Sequence, residues 1–258
     1  MKNCEFSQNH YMELLKLACN NGYVFQTFDS GDCLEENIIF LRHDVDYMPE
    51  WAVELAKIEH SLGIKAVYFF QLTAPFYNLR EPRFSKCVKL IRKLGHDISL
   101  HFDVHYYGTE THDDKKLCQL IKNELNLLKN ITEIDHFNPY ISFHNPPGEI
   151  LGKGFKQFNH TYEPKFFNQK VKYLSDSNQT WHEGCVCNIF RSMKYQYIHL
   201  LIHPYCWPME PQKNLLDVFI KMIEEKKRHL LEYATTFNPV IKQKKKQIYK
   251  KFYHNFMF

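Results

Sequence analysis

Short β-rich apolar runs alternate with helical stripes along most of this chain, and five of the runs end in a residue able to bind a metal or move a proton. Ile38-Ile39-Phe40-Leu41 leads into Asp44 and Asp46, and Ile98-Ser99-Leu100 into His101 and then His105. Ile141-Ser142-Phe143 leads into His144, Tyr173-Leu174-Ser175 into Asp176, and the run 198–202 into His203. Strands separated by helices imply βαβ units, and parallel strands bring their C-terminal ends to one mouth, where α/β folds build their sites. The helical stripes are Trp51, Leu55, Ile58 and Leu62; Cys87, Leu90, Ile91 and Leu94; Leu117, Ile121, Leu125 and Leu128; and Leu216, Phe219, Ile220 and Ile223. Strands are expected at 38–41, 66–72, 98–102, 141–143 and 197–202. Gly63 and Gly95 close helices ahead of strands, as αβ turns require. The segment 145–167, richer in Pro, Gly and aromatics, is expected as an irregular excursion near the site.

The 258 residues suit one large α/β domain, read as 1–239, followed by a basic tail, 240–258. That tail carries six lysines and no acid. Without them, 27 of the 33 basic residues remain against 29 acidic ones, so the net charge of +4 belongs to the tail and the body is slightly acidic. A basic body for nucleic acid is therefore excluded. The tail interleaves its lysines with Ile248, Tyr249, Phe252, Tyr253 and Phe256; contact with an anionic membrane surface is the lesser reading beside a solvated helix or frayed end. The start, Met1-Lys2-Asn3-Cys4-Glu5, lacks a signal-peptide apolar stretch, and no run is long enough to span a bilayer. A reducing, cytoplasmic setting with free thiols is expected. Cys185-Val186-Cys187 is the only close pair among eight cysteines; lacking a second Cys/His pair at zinc-finger spacing, it is read as structural. The aromatic content of 16% is high, attributed first to core packing and second to sugar-stacking surfaces.

Asp44-Val45-Asp46 puts two carboxylates on one side of an extended chain, because side chains alternate with period two. One can ligate a metal while the other stays free to take a proton from water. His101 and His105 add two imidazoles, and two His with one Asp make a ligand set with open positions for a divalent metal. With 15 His in the chain, a His-x-x-x-His pair is cheap, and His199 and His203 form a second one. The common placement after strands gives these pairs their weight.

The stretch Leu41-Arg42-His43-Asp44-Val45-Asp46-Tyr47, followed by Gly95-His96-Asp97-Ile98-Ser99-Leu100-His101-Phe102-Asp103-Val104-His105, resembles the polysaccharide deacetylase (NodB-homology, carbohydrate esterase 4) superfamily. The atypical branch with Asp-x-Asp in its first motif is nearest. Phe143-His144-Asn145-Pro146, Asp176-Ser177 with Trp181, and Leu201-Ile202-His203-Pro204 look like its later motifs, so the resemblance spans roughly 38–208. It implies a distorted (β/α) barrel, mostly parallel, with surrounding helices. It also implies a metal-dependent hydrolase that removes an N-acyl group from an amino sugar. By position, Asp44 resembles the catalytic base, Asp46, His101 and His105 the metal ligands, and His203 the general acid, with Asp176 a candidate to hold it protonated. His144 stands where the superfamily has an arginine that braces the base, and is expected either to brace the base as a cation or to reach the substrate. His96 is expected to cap by a hydrogen bond rather than ligate. Tyr47, Trp181, Tyr205 and Trp207 are the candidate sugar-stacking aromatics, with a core position competing most for Trp181. The implied cofactor is one divalent metal ion, zinc ahead of cobalt, manganese, iron or nickel. With the cytoplasmic expectation, the substrate would be a nucleotide- or lipid-linked precursor of a surface glycan. A deacylase or deformylase of a non-sugar amide and an inactive glycan-binding protein are the alternatives, since a fold does not fix its substrate. Oligomeric state is left open.

Overall fold

A computed structural model describes residues 5–30 and 36–254, with the side chains of 249 and 251–254 excepted. Cys4, Cys33 and the last four residues of the basic tail lie outside the described residues. The chain divides into two compact units, Met1–Leu215 and Leu216–Phe258.

In the first unit the strands are β1 (Tyr23–Gln26), β2 (Asn37–Val45), β3 (Val67–Phe70), β4 (Asp97–Asp103), β5 (Tyr140–His144), β6 (Asn159–His160), β7 (Val171–Ser175) and β8 (Tyr197–Ile202). The helices are α1 (Gln8–Asn20), α2 (Pro49–Ser61), α3 (Pro82–Lys93), α4 (Val104–Tyr107), α5 (Asp114–Thr132) and α6 (Val186–Ser192). Every described strand pair is parallel. Seven strands run in the order β6-β5-β4-β3-β2-β8-β7, and the sheet curls into a half-barrel surrounded by helices. β2 is the hub. β1 pairs its first half and β3 its second along one edge, and β8 takes the other. Gly63 and Gly95, with φ of 69° and 96°, make the sharp turns out of α2 and α3 that an L side chain would strain.

Period-two alternation sorts β2 into two faces. Ile38 and Phe40 join Phe28, Val67, Phe69 and Phe166 in an apolar floor. Arg42 follows them, and then Asp44, so polarity rises toward the C-terminal mouth. His43 points the other way, where its Nε2–H donates to Glu59 Oε1 of α2 at 2.6 Å. Tyr11 of α1 and Tyr68 of β3 donate to the same carboxylate at 2.5 and 2.8 Å, so one buried Glu gathers two helices and two strands. His96 packs beside it: its Nδ1 accepts from Ala66 N–H at 3.3 Å and its Nε2–H donates to Ala56 C=O at 2.9 Å. Burial lowers its pKa, in keeping with this neutral, bonded tautomer.

In the second unit, α7 (Leu215–Phe237) is followed by α8 (Pro239–Gln243) and α9 (Lys245–His254). Leu216, Ile220 and Ile223, expected as its inward stripe, are exposed, whereas Val218 and Met222 are buried. Apolar residues occupy two neighbouring faces of this helix, so the period alone did not choose between them. No helix among the described residues is long and apolar enough to cross a membrane.

Burial pushes the Glu59 pKa up, but His43, with His96 and the Tyr11 hydroxyl, outweighs it and leaves it below the ordinary glutamate value. Such a group contributes stability that is full above its unfolded pKa of about 4.3 and is lost as pH falls through the folded pKa. Glu59→Gln should cost about 3 kcal/mol in urea unfolding at neutral pH. The deficit should narrow below about pH 4.3. A deficit independent of pH would show that the carboxylate is not the stabilising form.

Candidate active site

Three side chains from the ends of β2, β4 and β5 converge at the mouth. His101 of β4 places Nε2 3.1 Å from Asp46 Oδ1, and His144 of β5 places Nδ1 3.1 Å from the same oxygen. The two nitrogens are 3.2 Å apart. The triangle forms because β4 and β5 are in register with His101 beside Ser142 and Asp103 beside His144, while β2 supplies the carboxylate.

The hydrogen bonds fix one tautomer. Ser142 Oγ–H donates to Asp44 Oδ2 at 3.1 Å, so its oxygen is left to accept the His101 Nδ1–H, also at 3.1 Å. His101 Nε2 then presents a bare lone pair toward the Asp46 carboxylate. Lone pair against lone pair is repulsive unless a cation or proton lies between them. The three edges also match those expected for ligands about 2.1 Å from a shared ion. One carboxylate and two imidazoles suit zinc and its first-row neighbours, so the residues fit a divalent metal.

His105 stands apart from this group, although the sequence places it among the ligands. Asp103 ends β4 and caps α4, accepting from the His105 and Tyr106 backbone N–H groups at 2.9 and 3.3 Å. The pair His101/His105 therefore straddles a strand-to-helix junction, and its spacing no longer means a shared face. The exposed His105 Nε2–H donates to the Asn145 C=O at 3.0 Å, tying down the loop after β5. His144, expected either to brace the base or to reach the substrate, stands at the third corner instead.

The brace is Arg42. Its Nη2 donates to Asp44 Oδ2 at 2.8 Å from two residues upstream on the same strand face. Burial raises the Asp44 pKa, but Arg42, then His101 and His203, outweigh it, so the carboxyl stays ionised below its ordinary value. Arg42 also donates to the Tyr162 hydroxyl at 2.7 Å and to Thr161, which pins the start of the 161–170 segment inside the curl. Asp44 Oδ1 is buried without a hydrogen-bond partner.

On the opposite flank, His203 follows β8, with Nε2 3.9 Å from Asp46 Oδ2. Its Nδ1–H donates to Asp176 Oδ1 at 2.7 Å, and its backbone N–H reaches both carboxylate oxygens at 3.0 Å. Burial lowers the His203 pKa, but Asp176, with help from Asp46 and Asp44, raises it to about 9. Trp207 Nε1–H completes the cage on Asp176 at 2.7 Å.

A cleft of about 400 Å³ opens over these groups, walled by Phe143, Tyr162, Phe167 and Tyr173. The expected stacking aromatics lie elsewhere. Trp207 is fully buried because its indole N–H is committed to Asp176, and Tyr205 is buried too. Trp181 is buried near Phe6, at 6.2 Å between ring centroids. Tyr47 packs edge-on against Phe76 and Tyr205. Sequence reasoning missed Arg42, Ser142, Tyr162 and Tyr173. The available signal for the first two was their position two residues before Asp44 and His144, hence on the same strand face.

No protein-family model matches the chain, and no curated protein matches it. Solved structures similar to it include a deacetylase domain and a carbohydrate esterase. The catalytic domain of peptidoglycan N-acetylglucosamine deacetylase from Eubacterium rectale ATCC 33656 is 13% identical, with a TM-score of 0.45, covering 79% of this chain and 89% of that one. A family 4 carbohydrate esterase from Bacillus anthracis is 12% identical, with a TM-score of 0.33, covering 83% and 85%.

Chelator-competition titrations with zinc should separate the two histidines on which sequence and structure differ. His144→Ala should weaken binding at this site by at least about 100-fold, the range reached even by outer partners of a metal. His105→Ala should change it little. Equal losses in both variants would mean that His105, not the triangle alone, holds the ion.

Proposed function

We propose that this chain is a metal-dependent amidohydrolase that removes an N-acyl group, acetyl first, from an amino sugar. The observation that carries the reading is the pair of opposed proton-transfer groups around one ligand triangle. Asp44 lies on the His101 side, its Oδ2 3.8 Å from Nδ1, and His203 lies on the side of the far Asp46 oxygen, at 3.9 Å. Amide hydrolysis needs both: a base for the attacking water, and an acid because an amine anion is a very poor leaving group.

A divalent ion held by Asp46, His101 and His144 would supply Lewis acidity toward the acyl carbonyl and the attacking water. Asp44 accepts the water proton. Oδ2 already takes bonds from Arg42 and Ser142, so the unpartnered Oδ1 is the oxygen available for it. Arg42 keeps the carboxylate ionised at neutral pH, ready to accept, and Ser142 fixes its rotation. His203, protonated at neutral pH through Asp176, delivers the Nε2 proton to the departing nitrogen. Its orientation is fixed because Asp176 grips both the ring Nδ1–H and the backbone N–H.

The sugar assignment is supported by the motif resemblance of residues 38–208 and by the cleft itself. Phe167 and Tyr173, both half-buried, offer apolar faces for the C–H side of a pyranose, while Ser177 and Asn145 offer hydrogen bonds to hydroxyls. A panel of N-acetylated nucleotide sugars, lipid-linked sugars, oligosaccharides and simple amides, read by released acetate, tests it. Turnover of a simple amide alone would overturn the sugar reading; turnover of a nucleotide- or lipid-linked sugar over oligosaccharides would support action on a precursor.

Asp44→Asn should lower kcat on the best amide substrate by at least about 100-fold while leaving the metal content of the purified protein unchanged. Unaltered turnover would remove Asp44 as the base. His203→Ala should show a split dependent on the leaving group. Amide hydrolysis should fall at least about 100-fold, whereas hydrolysis of an aryl acetate, whose phenolate leaves without protonation, should fall far less. Equal losses on both substrates would assign His203 to binding rather than to acid catalysis.

A further inference from the structure

Outside the cleft, a second set of ligating side chains converges from distant parts of the sequence. His10, in the first turn of α1, turns its Nε2 toward Cys185 Sγ at 3.4 Å and Cys187 Sγ at 3.8 Å. The donor atoms of all three residues lie within 4.8 Å of one another, and neither cysteine is in a disulfide. The dipeptide spacing Cys-x-Cys lacked a partner in sequence because the third member lies 175 residues away from Cys185. It arrives only because α1 packs against α6.

We propose that His10, Cys185 and Cys187 form a thiophilic metal site, of the zinc class, that clips α1 to α6. Three features favour an ion over a plain hydrogen-bonded cluster. First, ligands at zinc bond lengths in tetrahedral array would hold nitrogen and sulfur about 3.6 Å apart, and the two observed separations bracket that value. Second, the far ring nitrogen, His10 Nδ1, faces Glu13 Oε2 at 3.5 Å. A carboxylate facing that nitrogen, here the exposed Glu13, favours the proton there and a bare Nε2 toward the sulfurs, the side on which a ligating histidine has its outer partner. Third, a thiol is a weak hydrogen-bond donor, so two of them around one bare imidazole nitrogen gain little without a cation. His10 and Cys185 are only partly buried, which gives the ion an entry path and leaves a fourth position for water.

The donor chemistry separates this site from the cleft. Two thiolates and an imidazole select zinc, cadmium or cobalt over harder ions, whereas the Asp46 set contains no sulfur. The clip also lies behind the acid. The His10 ring faces Trp207 at 6.4 Å between centroids, Gln8 of the same helix donates to the Trp207 C=O at 3.4 Å, and Trp207 in turn donates to Asp176. Its role is to steady α1 and that buttress, not to touch substrate.

Cobalt titration of the full chain under reducing conditions tests the site, because thiolate ligation gives a sulfur-to-cobalt charge-transfer band that the Asp46 set cannot produce. The wild type should show the band, and Cys185→Ser/Cys187→Ser should lose it together with one equivalent of bound metal. His101→Ala/His144→Ala should keep the band, so failure of the proposed active-site ion would leave this result standing. In case the cysteine variant fails to fold, the wild type provides a second measurement. One equivalent of cadmium should protect the partly exposed Cys185 from alkylation relative to the metal-free protein, mapped by peptide mass spectrometry, while exposed Cys19 still reacts. No band and no protection would overturn the proposal. A Cys185–Cys187 disulfide persisting in the protein under reducing conditions would overturn it too, by showing a redox pair instead.

Discussion

Much of this structure is arranged around one fully buried guanidinium. Taking an arginine out of water costs several kcal/mol unless its hydrogen bonds are replaced, and Arg42 replaces those of its two Nη groups with the Asp44 carboxylate, the Tyr162 hydroxyl, Thr161 and His199, leaving only the buried Nε–H without a partner. The Tyr162 ring adds a cation–π contact at 4.5 Å. The four partners come from three parts of the fold: β2 itself, the segment after β6, and β8. Satisfying Arg42 therefore draws residues 161–162 in over the apolar floor, and the same pull brings Tyr162 to the cleft wall. It also decides the charge state of Asp44, because a carboxyl this deeply buried would otherwise favour its neutral form.

Asp44 and Asp46 show how neighbours divide labour between identical side chains two residues apart. Asp44 faces a guanidinium and a serine hydroxyl, which hold it charged and leave one oxygen free. Asp46 faces two imidazoles on one oxygen and a third imidazole near the other. The first environment suits a proton acceptor and the second a ligand. The opposite face of the same strand is no less polar, since His43 is bound to Glu59, yet that side is sealed by helices and serves stability. One strand thus supplies the chemistry on its inner face and an anchor for two helices on its outer face.

The two proposed ligating sets differ in the same way. The inner one is built of oxygen and nitrogen at a strand mouth beside a cleft. The outer one is built of sulfur and nitrogen between two helices. Trp207 stands between them, its ring facing His10 and its N–H on Asp176, so the position of His203, which Asp176 holds, depends on packing that reaches the molecule's first helix. That coupling explains why a tryptophan from a Pro-flanked loop, which on its sequence looks exposed, is fully buried.

Short apolar runs alternating with helical stripes were enough to define a parallel α/β sheet, because period and run length are local properties. The convergence of Asp44, Asp46, His101, His144, Asp176 and His203 was equally legible, since parallel strands must deliver their C-terminal ends to one side. Which of these residues face each other was not. The sequence pairs His101 with His105, but Asp103 starts a helical turn between them, and strand register hands the third corner to His144. It offers no cation for Asp44 except by counting two residues back to Arg42. It leaves Cys185 and Cys187 without their imidazole, because His10 meets them only through the contact of α1 with α6. Periodicity assigns a side chain to a face, and only register and packing choose its partner across that face.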